Sequence, residues 1–263
     1  MKLFFRVGGF CLSLLVLVIA WKVAQNVHRR FSLKVSARQE QTWRIIEGWT
    51  LEDEAHLLGA ASSTGLTSTP FDPRWRMEFS FLRLLPLNRS LEGYLFPETY
   101  RVWDDELPEG LIRKQLQTFQ QRVATSSLAF PAPLRSLDEV VTLASIVEKE
   151  VQQDTDRQIV AALFLRRLKE GMALQSDATL AYITGSSRNR ATANELANPS
   201  LYNTYQHPGL PPGPICNPGS SAIDAVLHPT PSPYRYFLTD KQGKVLYAKT
   251  FEEHLKNKRR AGY

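Results

Sequence analysis

Two glutamates, Glu148 and Glu150, end the segment VTLASIVEKE (141–150), whose apolar residues would fall on every side of a helix. Side chains two positions apart on a helix point about 200° away from each other, so the two acids are not expected to face one cleft if the helix stays regular. Glu150 would lie on the face of Leu143 and Ile146. Burial there would raise the pKa of its carboxyl and suit it to general acid catalysis. The alternative is a helix end at which both acids are solvated.

A second group of polar residues lies in LQSDATLAY (174–182), between a predicted helix and an apolar run. Gln175, Ser176 and Asp177 form a polar turn there, and their side chains could face a ligand. The alternative is a purely structural turn in which Ser176 or Asp177 caps a helix.

A third group lies in the Pro- and Gly-rich segment NTYQHPGLPPGPICNPG (203–219). Proline makes such a loop rigid, and glycine lets the backbone approach a ligand closely. Asn203, Thr204, Tyr205 and His207 could therefore line a polysaccharide groove by hydrogen bonding and stacking. The alternative is a long structural loop.

Capping residues predict where two helices begin. Thr50 is followed three residues later by Asp53, and Ser136 is followed at the same spacing by Glu139. Both pairs have the spacing of a capping box, in which each side chain accepts a hydrogen bond from the other residue's backbone. Gly59 is placed to end the first of these helices.

Periodicity predicts the remaining elements. Apolar residues recur at helical spacing in 111–123 and in 156–171, and the aromatic segment 91–102 favours a strand interrupted by proline. From residue 172 onward the sequence predicts loops and short strands. Two β-prone runs flanking 240–243 predict a closing hairpin.

The N-terminal run Leu3–Val23 is apolar apart from Arg6 and Lys22. At about 1.5 Å per residue it is long enough to cross a hydrocarbon core of roughly 30 Å. No small-residue cleavage site follows it, so an uncleaved transmembrane anchor is favoured over a cleaved signal peptide. Basic residues lie on both sides of the run, and charge alone leaves its orientation open.

Composition restricts the function classes. The chain has 263 residues, 43% of them hydrophobic, and a formal net charge of +6. It has neither a zinc-type cysteine spacing nor a glycine-rich phosphate loop, so we predict no metal and no cofactor. Its two cysteines, Cys11 and Cys216, cannot form a disulfide within the soluble part. The positive charge forms no stripe interleaved with aromatic residues, which argues against nucleic acid as a partner.

Six separated segments together resemble the endolytic murein transglycosylase (YceG-like) family, and the resemblance covers about residues 42–258. They are LEGYLFPETY (91–100), LASIVEKE (143–150), LQSDATLAY (174–182), NTYQHPGLPPGPICNPGSSAIDAVLHP (203–229), YFL (236–238) and KTFEEHLKN (249–257). The resemblance implies an α+β chain: a transmembrane helix followed by a mixed α/β catalytic domain. We expect an anchor and stalk at 1–40, the N-terminal part of the domain at 41–135 and the catalytic part at 136–263.

The same resemblance implies a site. Glu150 matches the catalytic acid of the family, and Glu148 is a supporting acid that we place among the substrate-binding residues. The other expected substrate-binding residues are Gln175, Ser176, Asp177, Asn203, Thr204 and Tyr205. Two departures are visible: the usual LysM-like subdomain is not seen, and Ala178 stands where the family often has proline.

The implied reaction is cleavage of the bond between N-acetylmuramic acid and N-acetylglucosamine, which leaves 1,6-anhydro ends. The implied partners are peptidoglycan glycan strands, the membrane and proteins of cell-wall synthesis. The implied location is the inner membrane, with the N-terminus cytoplasmic and the catalytic domain periplasmic. Two alternatives stay open: a hydrolase that uses Asp177 as a second carboxylate, and a non-catalytic scaffold.

Overall fold

The computed structural model describes most of the chain beyond its N-terminal run. The described residues are 21–23, 25, 38–59, 66–124, 129–186 and 191–262. The predicted anchor lies outside these residues except for its last three positions. In the described ranges no helix combines the length and hydrophobicity needed to cross a membrane. The chain divides into one compact unit of Met1–Gln41 with Trp103–Asp105, and a second of Thr42–Val102 with Glu106–Tyr263.

The second unit is mainly helical and carries the site. The elements in chain order are β1 (Glu40–Arg44), α1 (Leu51–Leu58), α2 (Pro73–Glu78), a 3-10 turn (Ser80–Leu84), β2 (Thr99–Trp103), a 3-10 turn (Asp104–Glu106), α3 (Glu109–Arg122), α4 (Leu137–Glu150), α5 (Asp154–Lys169), α6 (Asp177–Thr184), α7 (Ala193–Leu196), α8 (Ser220–Leu227), β3 (Tyr236–Thr239), β4 (Val245–Ala248) and α9 (Phe251–Arg260). β1 pairs with β2, and β3 pairs with β4. Helices beside separate small sheets confirm the predicted mixture of α and β structure.

Helix α4 is the centre of the core. Every residue from Val140 to Val147 is buried, as its all-round apolar character predicted, and α4, α5 and α8 pack against one another. The Ser136 side chain caps α4 by accepting from Glu139 N–H. The reciprocal half of the predicted capping box is wrong, because the Glu139 carboxylate accepts from Arg135 N–H instead. The helix ends directly after Glu150, where Val151 turns into extended backbone.

Helix α3 joins an aromatic cluster to this core. Its predicted apolar stripe is buried, and Phe119 stacks on Phe81 at 5.0 Å and meets the edge of Tyr94 at 5.3 Å. The strand predicted over 91–102 forms only from Thr99 onward, because the preceding residues are buried in turns. Gly93 permits those turns: its φ is +89°, and a Cβ there would lie 2.5 Å from a carbon atom of Pro214.

The C-terminal third contains more helix than the sequence predicted. The expectation of loops and short strands after residue 172 is wrong for α6, α8 and α9. Helices α6 and α8 are only two turns long, too short to show a clear apolar period beside their Ser- and Gly-rich flanks. The closing hairpin is confirmed, with Tyr236 opposite Ala248 and Thr239 opposite Val245 in antiparallel strands. The capping box of Thr50 and Asp53 and the end of α1 at Gly59 are also confirmed.

Candidate active site

A cleft of about 2360 Å³ opens beside the C-terminal end of α4. Side chains from α4, the start of α6, the loop after α7 and the closing hairpin line it. Of the residues predicted for the site, five line this cleft: Glu148, Glu150, Gln175, Asp177 and Tyr205. Both acids are among them, so the expectation that the two would not face one cleft is wrong. The long α4 positions the acids rigidly, since its preceding turns are buried.

Glu150 is the last residue of α4, and the Ser176 hydroxyl donates a hydrogen bond to its Oε1. Burial raises the pKa of the Glu150 carboxyl to about 7. The nearby Asp177 charge also raises this pKa, whereas the Ser176 hydrogen bond and the Arg167 charge lower it. A carboxyl with a pKa near 7 is partly protonated at neutral pH, so it can both donate and accept a proton.

The turn that presents Ser176 is fixed by a buried threonine. Thr204 accepts from Ser176 N–H through its hydroxyl at 3.0 Å, and from Gln175 N–H through its carbonyl at 3.0 Å. Thr179 Oγ1 lies 2.9 Å from Thr204 Oγ1. Gln175 adopts a positive φ of 53°, which is costly for a residue with a Cβ and persists where the surroundings enforce it. These contacts hold Ser176 against Glu150.

Asp177 and Tyr205 form a hydrogen-bonded pair in the cleft wall. Tyr205 Oη donates to Asp177 Oδ1 at 2.6 Å. Burial and then the negative charge of Asp177 raise the pKa of the Tyr205 hydroxyl, so it stays a donor at neutral pH. Asp177 is the first residue of α6 and is the second carboxylate near Glu150.

The Asn203 and Thr204 side chains are buried and do not line the cleft, and their contact with substrate stays a prediction. Asn203 Nδ2 donates to the carbonyls of Leu196 and Asn198 at 3.1 and 2.7 Å, and its Oδ1 accepts from Tyr205 N–H at 3.1 Å. Both residues therefore position the loop. Ser176 is likewise buried and reaches Glu150 instead of solvent.

Glu148 is engaged by protein partners. Its side chain is 6% exposed and accepts from Arg157 Nη2 at 2.6 Å and from Gly219 N–H at 3.0 Å. Burial raises the pKa of Glu148, and the Gly219 hydrogen bond and the Arg157 charge oppose that shift. Its contacts tie α4 to α5 and to the start of α8, which gives it a positional role. Substrate binding by Glu148 stays a prediction. The alternative of a solvated helix end is wrong.

Arg167 on α5 is a cleft residue that the sequence analysis missed. It is 9% exposed, lines the cleft, and donates to the carbonyls of Leu174 and Arg235 at 2.5 and 3.4 Å. Its Nε has no hydrogen-bond partner among the described residues. Its charge acts on Glu150 and lowers the pKa of that carboxyl. The one available signal was an arginine within the apolar run ALFLRRL (162–168) of α5.

Glu54 on α1 and Glu92 in the turns before β2 form a pair of buried acids that was also missed. Burial raises the pKa of Glu92, which lines the cleft, to about 8, and that of Glu54 to about 7. Glu92 accepts from Leu51 N–H, the first amide of α1, at 3.2 Å. Asn217 donates to Glu54 at 2.9 Å and accepts from Gly93 N–H at 2.8 Å. This network joins two of the segments that carry the family resemblance.

Within the described ranges, no three His, Cys, Asp or Glu side chains lie close enough together to bind a metal ion. The arrangement around Glu150 is an acid–base site in an open cleft.

The comparisons identify the family to which this fold and site belong. The YceG-like family model matches residues 21–260, so the chain belongs to the YceG-like family, and the predicted resemblance is confirmed. It is 39% identical over 173 residues to an endolytic murein transglycosylase of Bacillus subtilis (strain 168), covering 65% of this chain and 48% of that protein.

A second curated relative and a solved structure are also similar to this chain. The chain is 32% identical over 240 residues to an endolytic murein transglycosylase of Streptococcus pneumoniae (serotype 2, strain D39), covering 82% of this chain and 44% of that protein. It thus spans about half the length of the curated relatives it matches. A crystal structure of a YceG-like protein from Listeria monocytogenes has a TM-score of 0.71 and 35% identity, covering 82% of this chain and 75% of that one.

Proposed function

We propose that this chain is a peptidoglycan lytic transglycosylase in which Glu150 is both the acid and the base. The observation that carries the proposal is Glu150 itself, a carboxyl whose pKa burial raises to about 7, held by Ser176 in a cleft of about 2360 Å³. Relatives named endolytic murein transglycosylases support the choice of substrate.

In the proposed reaction, protonated Glu150 donates its proton to the glycosidic oxygen between N-acetylmuramic acid and N-acetylglucosamine. The bond to that oxygen breaks, and positive charge develops at the anomeric carbon of the muramic residue. Ionised Glu150 then removes the proton from the 6-hydroxyl of the same residue, whose oxygen closes on the anomeric carbon. The product carries a 1,6-anhydro end, Glu150 is protonated again, and no water is consumed.

The neighbours of Glu150 suit this proton cycle. The Ser176 hydrogen bond and the Arg167 charge both favour the ionised form that exists in mid-reaction. Burial and Asp177 favour the protonated form that begins it. These opposing influences leave the pKa near the pH at which both steps must run, which is the condition for efficient acid–base catalysis.

The second candidate is a hydrolase, favoured by the position of Asp177 near Glu150. Asp177 would activate a water molecule in the way that paired glycosidase carboxylates do. Its hydrogen bond from Tyr205 Oη at 2.6 Å occupies one of its oxygens and leaves the other available. The scaffold alternative needs no proton-active carboxyl and gives no account of the raised pKa of Glu150.

Membrane attachment is part of the proposal. Its support is the apolar run Leu3–Val23. We propose a single-pass anchor in the inner membrane, with a cytoplasmic N-terminus and the cleft on the periplasmic side, where nascent glycan strands are made. Cleaving strands internally there would influence their length, and partners would come from the cell-wall synthesis machinery.

Product mass tests the reaction. Purified glycan strands are incubated with the full-length protein in detergent, and the released fragments are analysed by mass spectrometry. The proposal expects 1,6-anhydro ends, lighter by one water than the reducing ends that a hydrolase would give. Reducing ends alone would establish the hydrolase, and intact strands would favour the scaffold.

A further inference from the structure

Three aromatic rings form a continuous surface in the cleft at its hairpin end. Tyr236 belongs to β3, and Phe251 and His254 belong to the first turn of α9. Their ring centroids are 5.9 Å apart for Tyr236–Phe251, 5.4 Å for Tyr236–His254 and 6.2 Å for Phe251–His254. All three residues line the same cleft as Glu150. We call them the aromatic platform.

One ring of the platform, that of Phe251, is exposed, although phenylalanine is usually buried in a protein core. Phe251 is 58% exposed, whereas Phe81, Phe119 and Phe164 are buried in the core. Thr250 caps α9 by accepting from Glu253 N–H, which fixes Phe251 as the first helical residue. An apolar ring held open in a cleft leaves a surface that a ligand can cover.

The imidazole of His254 is held by ring packing. Its Nδ1 is buried and has no hydrogen-bond partner in the described part of the chain. Burial, together with the charges of Lys258 and Arg167, lowers the pKa of His254, so the ring is neutral at pH 7. The neutral imidazole lies at 27° to the Tyr236 ring and adds an uncharged ring to the cluster.

The platform is connected to the catalytic end of α4. Thr239, on the same strand as Tyr236, donates through its hydroxyl to the Glu150 carbonyl at 3.4 Å. Arg167 lines the same cleft, and its charge acts on Glu150. A glycan strand that lies across Glu150 can therefore reach the platform along the wall of the same cleft.

The chemistry of the surface indicates its occupant. Pyranose rings present flat C–H faces and a rim of hydroxyl and acetamido groups. The faces pack on aromatic rings, and the rim needs polar neighbours. Asp240, Lys241 and Lys258 line the cleft with the platform and provide such neighbours. A stem peptide would need a channel for varied side chains, and three adjacent aromatic rings do not provide one.

We propose that Tyr236, Phe251 and His254 form a glycan-binding subsite that stacks on an N-acetylated pyranose ring of the strand held across Glu150. This inference rests on the proposed function, because it assigns a subsite to the same cleft. It accounts for the segments YFL and KTFEEHLKN, for which the acid–base reaction alone provides no role.

Binding of β-1,4-linked N-acetylglucosamine oligomers tests the subsite, since these probes carry neither peptide nor lactyl group. They are titrated by calorimetry into full-length Glu150→Gln protein in detergent. Adding Phe251→Ala is expected to raise Kd roughly tenfold, the loss expected when a stacking ring is removed. Phe251→Trp keeps a ring and should restore affinity.

The same hairpin offers a matched control. Tyr234 and Tyr247 stack at 4.9 Å, and neither lines the cleft. Tyr234→Ala should leave Kd unchanged. Equal Kd values for Phe251→Ala and Tyr234→Ala would overturn the subsite.

Cleavage kinetics in the protein with Glu150 intact separate the subsite from the reaction. Phe251→Ala should raise KM for glycan strands about tenfold with kcat nearly unchanged, the signature of lost ground-state binding. If Phe251→Ala leaves both the oligomer Kd and KM unchanged while anhydro ends form, the subsite is wrong and the reaction stands. If oligomer binding depends on Phe251 but no fragments form, the subsite stands and the proposed reaction is wrong.

Discussion

Glu148 and Glu150 are two residues apart on one helix, yet their surroundings differ in kind. Both line the cleft, but Glu148 is bound to α5 and to the start of α8, where Arg157 and Gly219 N–H satisfy its charge. Glu150 faces the cleft, where it receives a hydroxyl hydrogen bond from Ser176 and lies near the charge of Asp177. The half-turn between them thus separates a structural ion pair from a proton-active carboxyl.

The comparison teaches that burial alone does not define a catalytic acid. Burial raises the pKa of both glutamates. Glu148 has a guanidinium at 2.6 Å that stabilises its ionised form, and breaking such a buried pair is costly. The charge of Arg167 influences Glu150 more weakly than burial does, so its carboxyl keeps a pKa near neutrality.

The largest expected effect is on catalysis. Glu150→Gln keeps the shape of the side chain but cannot cycle a proton, so glycan cleavage should fall roughly 100- to 10,000-fold or more. Release of anhydro-ended fragments measures the loss, and circular dichroism checks the fold. Near-normal turnover in this variant would remove Glu150 from the mechanism.

On the structural side of the comparison, Arg157→Gln should destabilise the protein. It leaves the Glu148 carboxylate buried without its cation. Removing one partner of a buried ion pair typically lowers the free energy of unfolding by about 3–5 kcal/mol. Urea unfolding of the full-length protein in detergent measures the change. Arg166→Gln is the control for removing an arginine from α5, because the Arg166 guanidinium donates to the carbonyls of Ser232 and Tyr234 and not to Glu148. Equal losses of unfolding free energy in the two variants would show that the Arg157–Glu148 ion pair stabilises the fold no more than the Arg166 contacts do.

A smaller effect should appear in the pH profile. Arg167 lowers the pKa of Glu150, so Arg167→Gln should raise that pKa. Activity requires protonated Glu150 at the start, and its loss at high pH should therefore move to higher pH, by about one unit or less. Arg167→Lys retains the charge and should keep the normal profile. A shift to lower pH in Arg167→Gln would contradict the assigned electrostatics.

Local signals in the sequence predicted much of the frame. The Thr50 and Ser136 caps, the α3 stripe and the closing hairpin depend on residues close together in the chain, and the structure contains them. The burial of α4 was visible because its apolar residues occupy every face. The short α6 and α8 were missed because two turns hold too few residues to establish a period.

The detailed placement of the site could not be read from local patterns. Thr204 fixes Ser176 across 28 residues, and Arg157 meets Glu148 only because α5 folds back along α4. Such contacts depend on how helices pack, which spacing within one segment does not specify. The aromatic platform likewise brings together β3 and α9.

Direct titration of Glu150 tests the central claim, that its surroundings keep this carboxyl poised near neutrality. The side-chain carboxyl carbons of glutamate are labelled with ¹³C in the full-length protein, and the Glu150 signal is assigned by its loss in Glu150→Gln. The account predicts a midpoint near the pKa of about 7 that burial imposes. A midpoint near the ordinary glutamate value of about 4.3 would contradict it.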